Sequence, residues 1–241
     1  MLTQLRERKT GEPARVKRIL NFLGVGYRDY LAARTLLNND LTLEGTIMAS
    51  TAVEKYFKAV IALRGNTTSG HLNAALLNNV KNYDPKLYRG SNESFLLLLK
   101  KVYILRYFEN LEPDFSLSIR TRHVLAQLDE VVNVLEGKFA FHQNGKLLER
   151  TYHHDRATKA PPLFTNNHVL QGIPKITFLT GEETVYEMRN HPTMGLIEVV
   201  YRTTAPPSTN FLGEGLKPGG SSADPKQTPD PESSPKPPTA D

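Results

Sequence analysis

The chain contains no cysteine. Disulfide scaffolds, thiol catalysis and cysteine-ligated zinc are therefore excluded, and the composition suits a reducing, cytoplasmic setting. Long apolar stretches are missing as well. No unbroken apolar run is longer than Phe95–Leu99, against the roughly 20 residues that a membrane-spanning helix needs, so no membrane role is expected. The first eighteen residues carry six basic and two acidic side chains with no apolar stretch behind them, which argues against a secretory signal. Phosphate-binding loops, dinucleotide fingerprints, zinc-protease helices and nucleophile elbows are all missing, so the motifs call for no cofactor and no metal.

What remains is a chain of 241 residues with a net charge of +5, spread unevenly. Residues 1–137 carry 19 Lys and Arg against 14 Asp and Glu; residues 138–204 carry 8 against 6; residues 205–241 carry 3 against 5. The excess lies in the amino-terminal arm, at Arg6, Arg8, Lys9, Arg15, Lys17 and Arg18. Such an arm can be a solvated terminus or can hold nucleic-acid phosphates. Composition divides the chain in three: a helical pattern over 1–137 including the arm, a β-rich annex over 138–204, and a low-complexity tail over 205–241. The tail holds nine of the sixteen prolines and too little apolar surface to offset its ordering entropy, so disorder is expected there. Its Pro235-Lys236-Pro237-Pro238 run could also feed a proline-reading groove.

Five helical stretches stand out in the first region. They run over Tyr27–Leu37, from a Thr42 cap to Leu63, from His71 to Val80, over Phe95–Phe108 with Ser91 or Ser94 as cap, and over Ser118–Glu136. Gly24 and Gly26 weaken any upstream continuation of the first. In the second, Ala49, Ala52, Val53, Tyr56, Phe57, Val60 and Leu63 share a broad face, opposite a narrow one holding Thr51, Glu54, Lys55 and Lys58. So wide an apolar arc marks a central helix of an antiparallel bundle. In the annex, a hairpin over Lys138–His153 about Asn144-Gly145 and strands at Lys175–Leu179, Thr184–Met188 and Leu196–Tyr201 are expected.

The runs Tyr30-Leu31-Ala32-Ala33-Arg34-Thr35-Leu36-Leu37 and Ala52-Val53-Glu54-Lys55-Tyr56-Phe57-Lys58-Ala59, with Gly70-His71-Leu72 and Arg106-Tyr107 after them, resemble the successive motifs of a HEPN domain over about residues 27–135. The resemblance implies a bundle of four or five helices that forms homodimers, often in bacterial toxin–antitoxin and defence systems. Many members cleave RNA; others bind nucleotides or act as non-catalytic partners of nucleotidyltransferases. An antitoxin or a nucleotidyltransferase is therefore a conceivable partner, beside nucleotide or RNA. Nuclease members carry an arginine four to six residues before a histidine, ahead of the final helix. Here that place holds Arg120, Arg122 and His123, with two residues between Arg120 and His123, while the spacing of six falls earlier, between Arg64 and His71. The expectation is thus a non-catalytic nucleotide- or RNA-associated module, with a metal-independent ribonuclease and a protein-interaction scaffold as the alternatives.

A metal-independent ribonuclease needs a base for the 2′-hydroxyl and a cation for the phosphate, which histidine and arginine can supply. Arg64 with His71, or Arg120 with His123, are the candidates for those roles. Structural readings stand beside them: Arg64 answers the dipole at the end of its helix, and His71 packs or caps. Lys55, Lys58, Arg106 and Tyr107 are the candidate ligand contacts. Lys58 and Glu54 are also four apart in the favourable order for a helix ion pair, and Arg106 could pair with Glu109. His153-His154-Asp155 lacks the second pair that a metal site requires.

Overall fold

The computed structural model describes residues 13–105, 111, 115–143 and 145–204. The basic Arg6, Arg8 and Lys9, the Arg106-Tyr107 pair with Glu109, Asn144 and the proline-rich segment from 205 lie outside them.

Helix α1 runs unbroken from Pro13 to Asn38, through both glycines. Gly26 lies in close contact with the next helix. A Cβ there would stand 3.3 Å from both Tyr56 and Lys55, so the missing side chain lets the next helix approach closely. That helix, α2 (Thr42–Leu63), follows a turn in which Asp40 adopts a left-handed φ of 64°. Thr42 does not cap it. Its hydroxyl is instead 2.9 Å from that of Thr121, inside the protein. Tyr56 and Phe57 are fully buried, as the broad apolar arc requires.

Helices α3 (Ala74–Tyr83), α4 (Pro85–Gly90) and α5 (Glu93–Ile104) begin at Asn73, Asp84 and Asn92, whose side chains accept from Leu76 N, Leu87 N and Phe95 N at 2.8, 2.9 and 3.2 Å. These side chains satisfy amide donors that a helix start leaves unpaired. Asn92 thus takes the role expected of Ser91 or Ser94, and the Ser91 hydroxyl donates to Leu87 O. His71 lies before α3 and not within it. In α5, Phe95, Leu96, Leu98 and Leu99 are all buried, each contributing about 1.5–3 kcal/mol.

The expected start of the last bundle helix at Ser118 is corrected. Ser116–Arg120 is a strand, β1, with Leu117 and Ile119 turned inward, and helix α6 begins only at Thr121 and ends at Glu136. The annex is more helical than its sequence suggests. After the minimal hairpin of β2 (His142–Gln143) and β3 (Lys146–Leu147) come α7 (Thr151–Ala157), α8 (Pro161–Phe164), α9 (His168–Gln171) and α10 (Lys175–Leu179). Lys175–Leu179 is therefore a helical turn and not a strand. Pro174 introduces it, and Phe178 is buried in a stack on His168 at 5.3 Å. The last two strands form as expected, β4 (Glu183–His191) and β5 (Gly195–Thr203), and the antiparallel sheet has the order β1-β4-β5. Pairing of Leu117 with Met188 and Ile119 with Tyr186 carries the core into the annex. No helix among the described residues is long and apolar enough to cross a membrane.

Ionic contacts reinforce the same junction. Asp129 on α6 receives both Arg34 and the Tyr30 hydroxyl of α1, while Arg34 also donates to the carbonyls of Pro162 and Thr165. Glu136, at the end of α6, accepts from Tyr56 and pairs with Arg150. Tyr27 donates to Asp155 at 2.6 Å, and Lys175 to Glu130 at 2.7 Å.

Candidate functional site

The narrow polar face of α2 leads to a cluster built by three elements. Glu54, buried on that face, is the hub: Lys58 Nζ donates to it at 2.7 Å from one turn later, and His71 Nδ1 lies 3.2 Å away. The other ring nitrogen of His71 is 2.6 Å from the Tyr103 hydroxyl on α5, and the two ring centroids lie 3.9 Å apart with their planes tilted by 30°. A carboxylate only accepts, so in the contact with Glu54 the His71 Nδ1 is the donor. The ring is held on both edges, yet its side chain is 58 % exposed. Gly70, with a φ of 83°, sets up the turn ahead of it, where the Asn73 amide would meet any added Cβ at 2.8 Å.

The other expected residues are distributed differently. Lys55 reaches back to Asp29 of α1 at 2.6 Å, tying the two long helices together. Arg64 is exposed just beyond α2. Arg120 and His123 do converge, but on Glu183, whose side chain has no solvent exposure: Arg120 Nε is 2.6 Å and His123 Nδ1 3.4 Å from its carboxylate. The same carboxylate accepts the Arg122 backbone N–H at 2.9 Å. It acts as a cap brought from a distant strand to the positive end of α6. Burial alone would raise the Glu183 carboxyl; its bonds from His123 and Arg120 outweigh that and hold it below the ordinary range. Arg122 donates to the carbonyls of Glu182 and Phe178 and lies over the Phe178 ring at 5.0 Å. This second cluster fastens the annex to α6.

Two contributors were not singled out from sequence. Tyr103 sits in the last turn of an otherwise apolar helix, after Lys100-Lys101; that break in hydrophobicity was its signal. Arg34 shares its helix face with Tyr30 and Leu37, and all three are buried. An arginine on such a stripe demands a buried carboxylate, and Asp129 lies among the apolar positions of α6. Among the described residues, no group of three or more His, Cys, Asp or Glu could hold a metal ion.

Residues 22–138 match the family model of the HEPN domain. The helical bundle is a HEPN domain, and β4, β5 and the short helices of the annex lie beyond the matched region. No curated protein and no solved structure matches the chain.

Proposed function

We propose that the bundle is a nucleotide- or RNA-associated module that holds its ligand without cleaving it, at the Lys58–His71–Tyr103 cluster. The observation that carries this reading is the exposed His71 ring, tilted against Tyr103 and held by Glu54. A rigid aromatic platform beside Lys58 suits a base over the rings and a phosphate on the ammonium. Cleavage of RNA would need a ring nitrogen open to the 2′-hydroxyl and a cation directed at the phosphate. Here Nε2 is already engaged with the Tyr103 hydroxyl, and Arg120 and His123 are drawn to Glu183. Arg106 and Tyr107, which follow α5 closely in sequence, and Lys55 on α2 are proposed as further contacts of the same ligand. HEPN domains commonly dimerise and often serve toxin or defence systems. A cytoplasmic homodimer working with an antitoxin or nucleotidyltransferase is the setting proposed for this one.

The test is binding of fluorescent ATP and of a short single-stranded RNA, with a parallel cleavage assay, for wild type, Lys58→Ala, His71→Ala and Tyr103→Ala. Each substitution is expected to weaken binding by about 1–3 kcal/mol, the worth of a charged hydrogen bond or a stacked base, and no protein should cleave the RNA. Cleavage by wild type that disappears in His71→Ala would establish the ribonuclease instead. Failure of wild type to bind either probe would overturn the proposal.

A further inference from the structure

Strand β5 is the outer strand of its sheet: among the described residues it pairs with β4 alone. Its register with β4 is continuous from Thr203 to Gly195, without a bulge, and it contains no proline and no lysine. Bulges, prolines and lysines are usual protections of an exposed edge, and the two charges that β5 does carry, Glu198 and Arg202, are of opposite sign. Its exposed residues include Leu196, Val199, Val200 and Tyr201, with Val200 at 60 %. At roughly 3.3 Å per residue, residues 195–202 span about 26 Å, along which alternate residues turn their backbone donors and acceptors away from β4.

We propose that this edge pairs antiparallel with the same edge of a second copy of the chain, about a two-fold axis through Val200. The argument is charge complementarity within one strand. Side chains alternate between faces, so an axis normal to the sheet can match only residues of the same face and must pass through a residue. An axis through Glu198 sets that carboxylate against its own copy, and one through Val199 sets Glu198 against Val200. An axis through Val200 sets Glu198 opposite Arg202 twice, Val199 opposite Tyr201 twice, and Val200 opposite itself. Opposite charges, an aromatic with a β-branched residue, and two β-branched residues are the favourable cross-strand pairs. Both charged groups are already steadied at the edge, Glu198 by the Tyr186 hydroxyl at 2.8 Å and Arg202 by Asp40 at 2.6 Å. A carboxylate and a guanidinium each retain capacity for further bonds. The pairing is independent of the ligand site and of any association through the bundle helices.

The cysteine-free chain supplies the test, because Val200→Cys introduces a unique thiol at the axis. Opposed Cα atoms in an antiparallel pair lie about 4.5–5.5 Å apart, inside the range of roughly 4.4–6.8 Å that a disulfide spans. The two copies of Val199 are diagonal neighbours at about 7–8 Å. Under mild oxidation of the full chain, Val200→Cys is expected to form a covalent dimer about tenfold faster than Val199→Cys, the latter lying beyond that range. Adding Glu198→Arg or Arg202→Glu to Val200→Cys should suppress the dimer, since each sets like charges opposite one another. An equimolar mixture of these two double variants should restore it, because every pair then joins opposite charges. Thermal melts verify that each variant is folded. Equal rates for the two thiol positions, indifference to either charge reversal, or no recovery on mixing would each overturn the proposal, the last because it denies this register.

Discussion

Arg34 and Asp129 meet with no solvent exposure on either side chain, and the guanidinium goes on to the carbonyls of Pro162 and Thr165. One arginine thus joins the first helix, the last bundle helix and the annex. Desolvation works against the Arg34 charge, but Asp129 and Tyr30 outweigh it and raise its affinity for the proton. Arg34→Met should therefore destabilise the chain by about 3–5 kcal/mol, the cost of leaving a buried carboxylate unpaired. Arg34→Met with Asp129→Leu should lose less than the single change. Urea unfolding of both variants measures the difference, and equal losses would show that packing, not charge, sets the cost.

Glu183 should govern part of the acid limb of stability. Its folded carboxyl is held below its ordinary range, as are those of Asp40 and Asp84. A carboxyl with a depressed folded value contributes stability that is complete above its unfolded value and is lost as pH falls through the folded one. Unfolding free energy should then decline as pH falls below about 5, where free carboxyls begin to protonate. Glu183→Gln should lower stability near neutrality by about 1.5–3 kcal/mol and flatten that decline. A chemical-denaturation series from neutral to acid pH would show both effects, and an unchanged slope would exclude Glu183 as a contributor.

Lys58 and Glu54 form an i,i+4 helix pair whose side chains are largely covered, 15 % and 8 % exposed, and Glu54 keeps His71 as a second partner. Lys58→Ala should leave the melting temperature close to wild type while ligand binding weakens. A large drop in melting temperature without a ligand would make Lys58 structural.

The glycines of the two long helices should respond in opposite directions. A Cβ at Gly24 would meet nothing within 4 Å, whereas one at Gly45 would lie 2.6 Å from Leu37 Cγ. Gly24→Ala should stabilise α1 by about 0.5–1 kcal/mol through helix propensity. Gly45→Ala should cost about 1–3 kcal/mol by overpacking. Thermal melts of the two variants should move apart; movement in the same direction would refute the close contact at Gly45.

The bundle was legible because its signals are local. The spacing of Ala52, Val53, Tyr56, Phe57 and Val60 requires a helix buried on a wide face, and that face is buried. The narrow face was read as Thr51, Glu54, Lys55 and Lys58, and Glu54 and Lys58 do enter the cluster, but their partners came from afar. Nothing within α2 announces that His71 and Tyr103 will close around Glu54. β1 escaped for the same reason: Ser116–Arg120 becomes a strand by pairing with residues some seventy positions later, at Arg189–Val185, and tertiary pairing overrides weak local preference. At Lys175–Leu179 the β-branched residues favoured a strand, but Pro174 and the burial of Phe178 under His168 decide for a turn of helix. Arg106 and Tyr107, proposed above as further ligand contacts, lie outside the described residues.

The buried ion pairs of α6 bear on where this chain can be cut. A gene fragment ending with the matched region would encode Asp129 without the carbonyls that complete Arg34, Glu136 without Arg150, and the start of α6 without Glu183. Each missing partner would leave charge or polar backbone stranded in a newly opened interior. In this chain, bundle and annex thus share the bonds of three buried charges, Arg34, Glu136 and Glu183, and a cut between them would break all three at once.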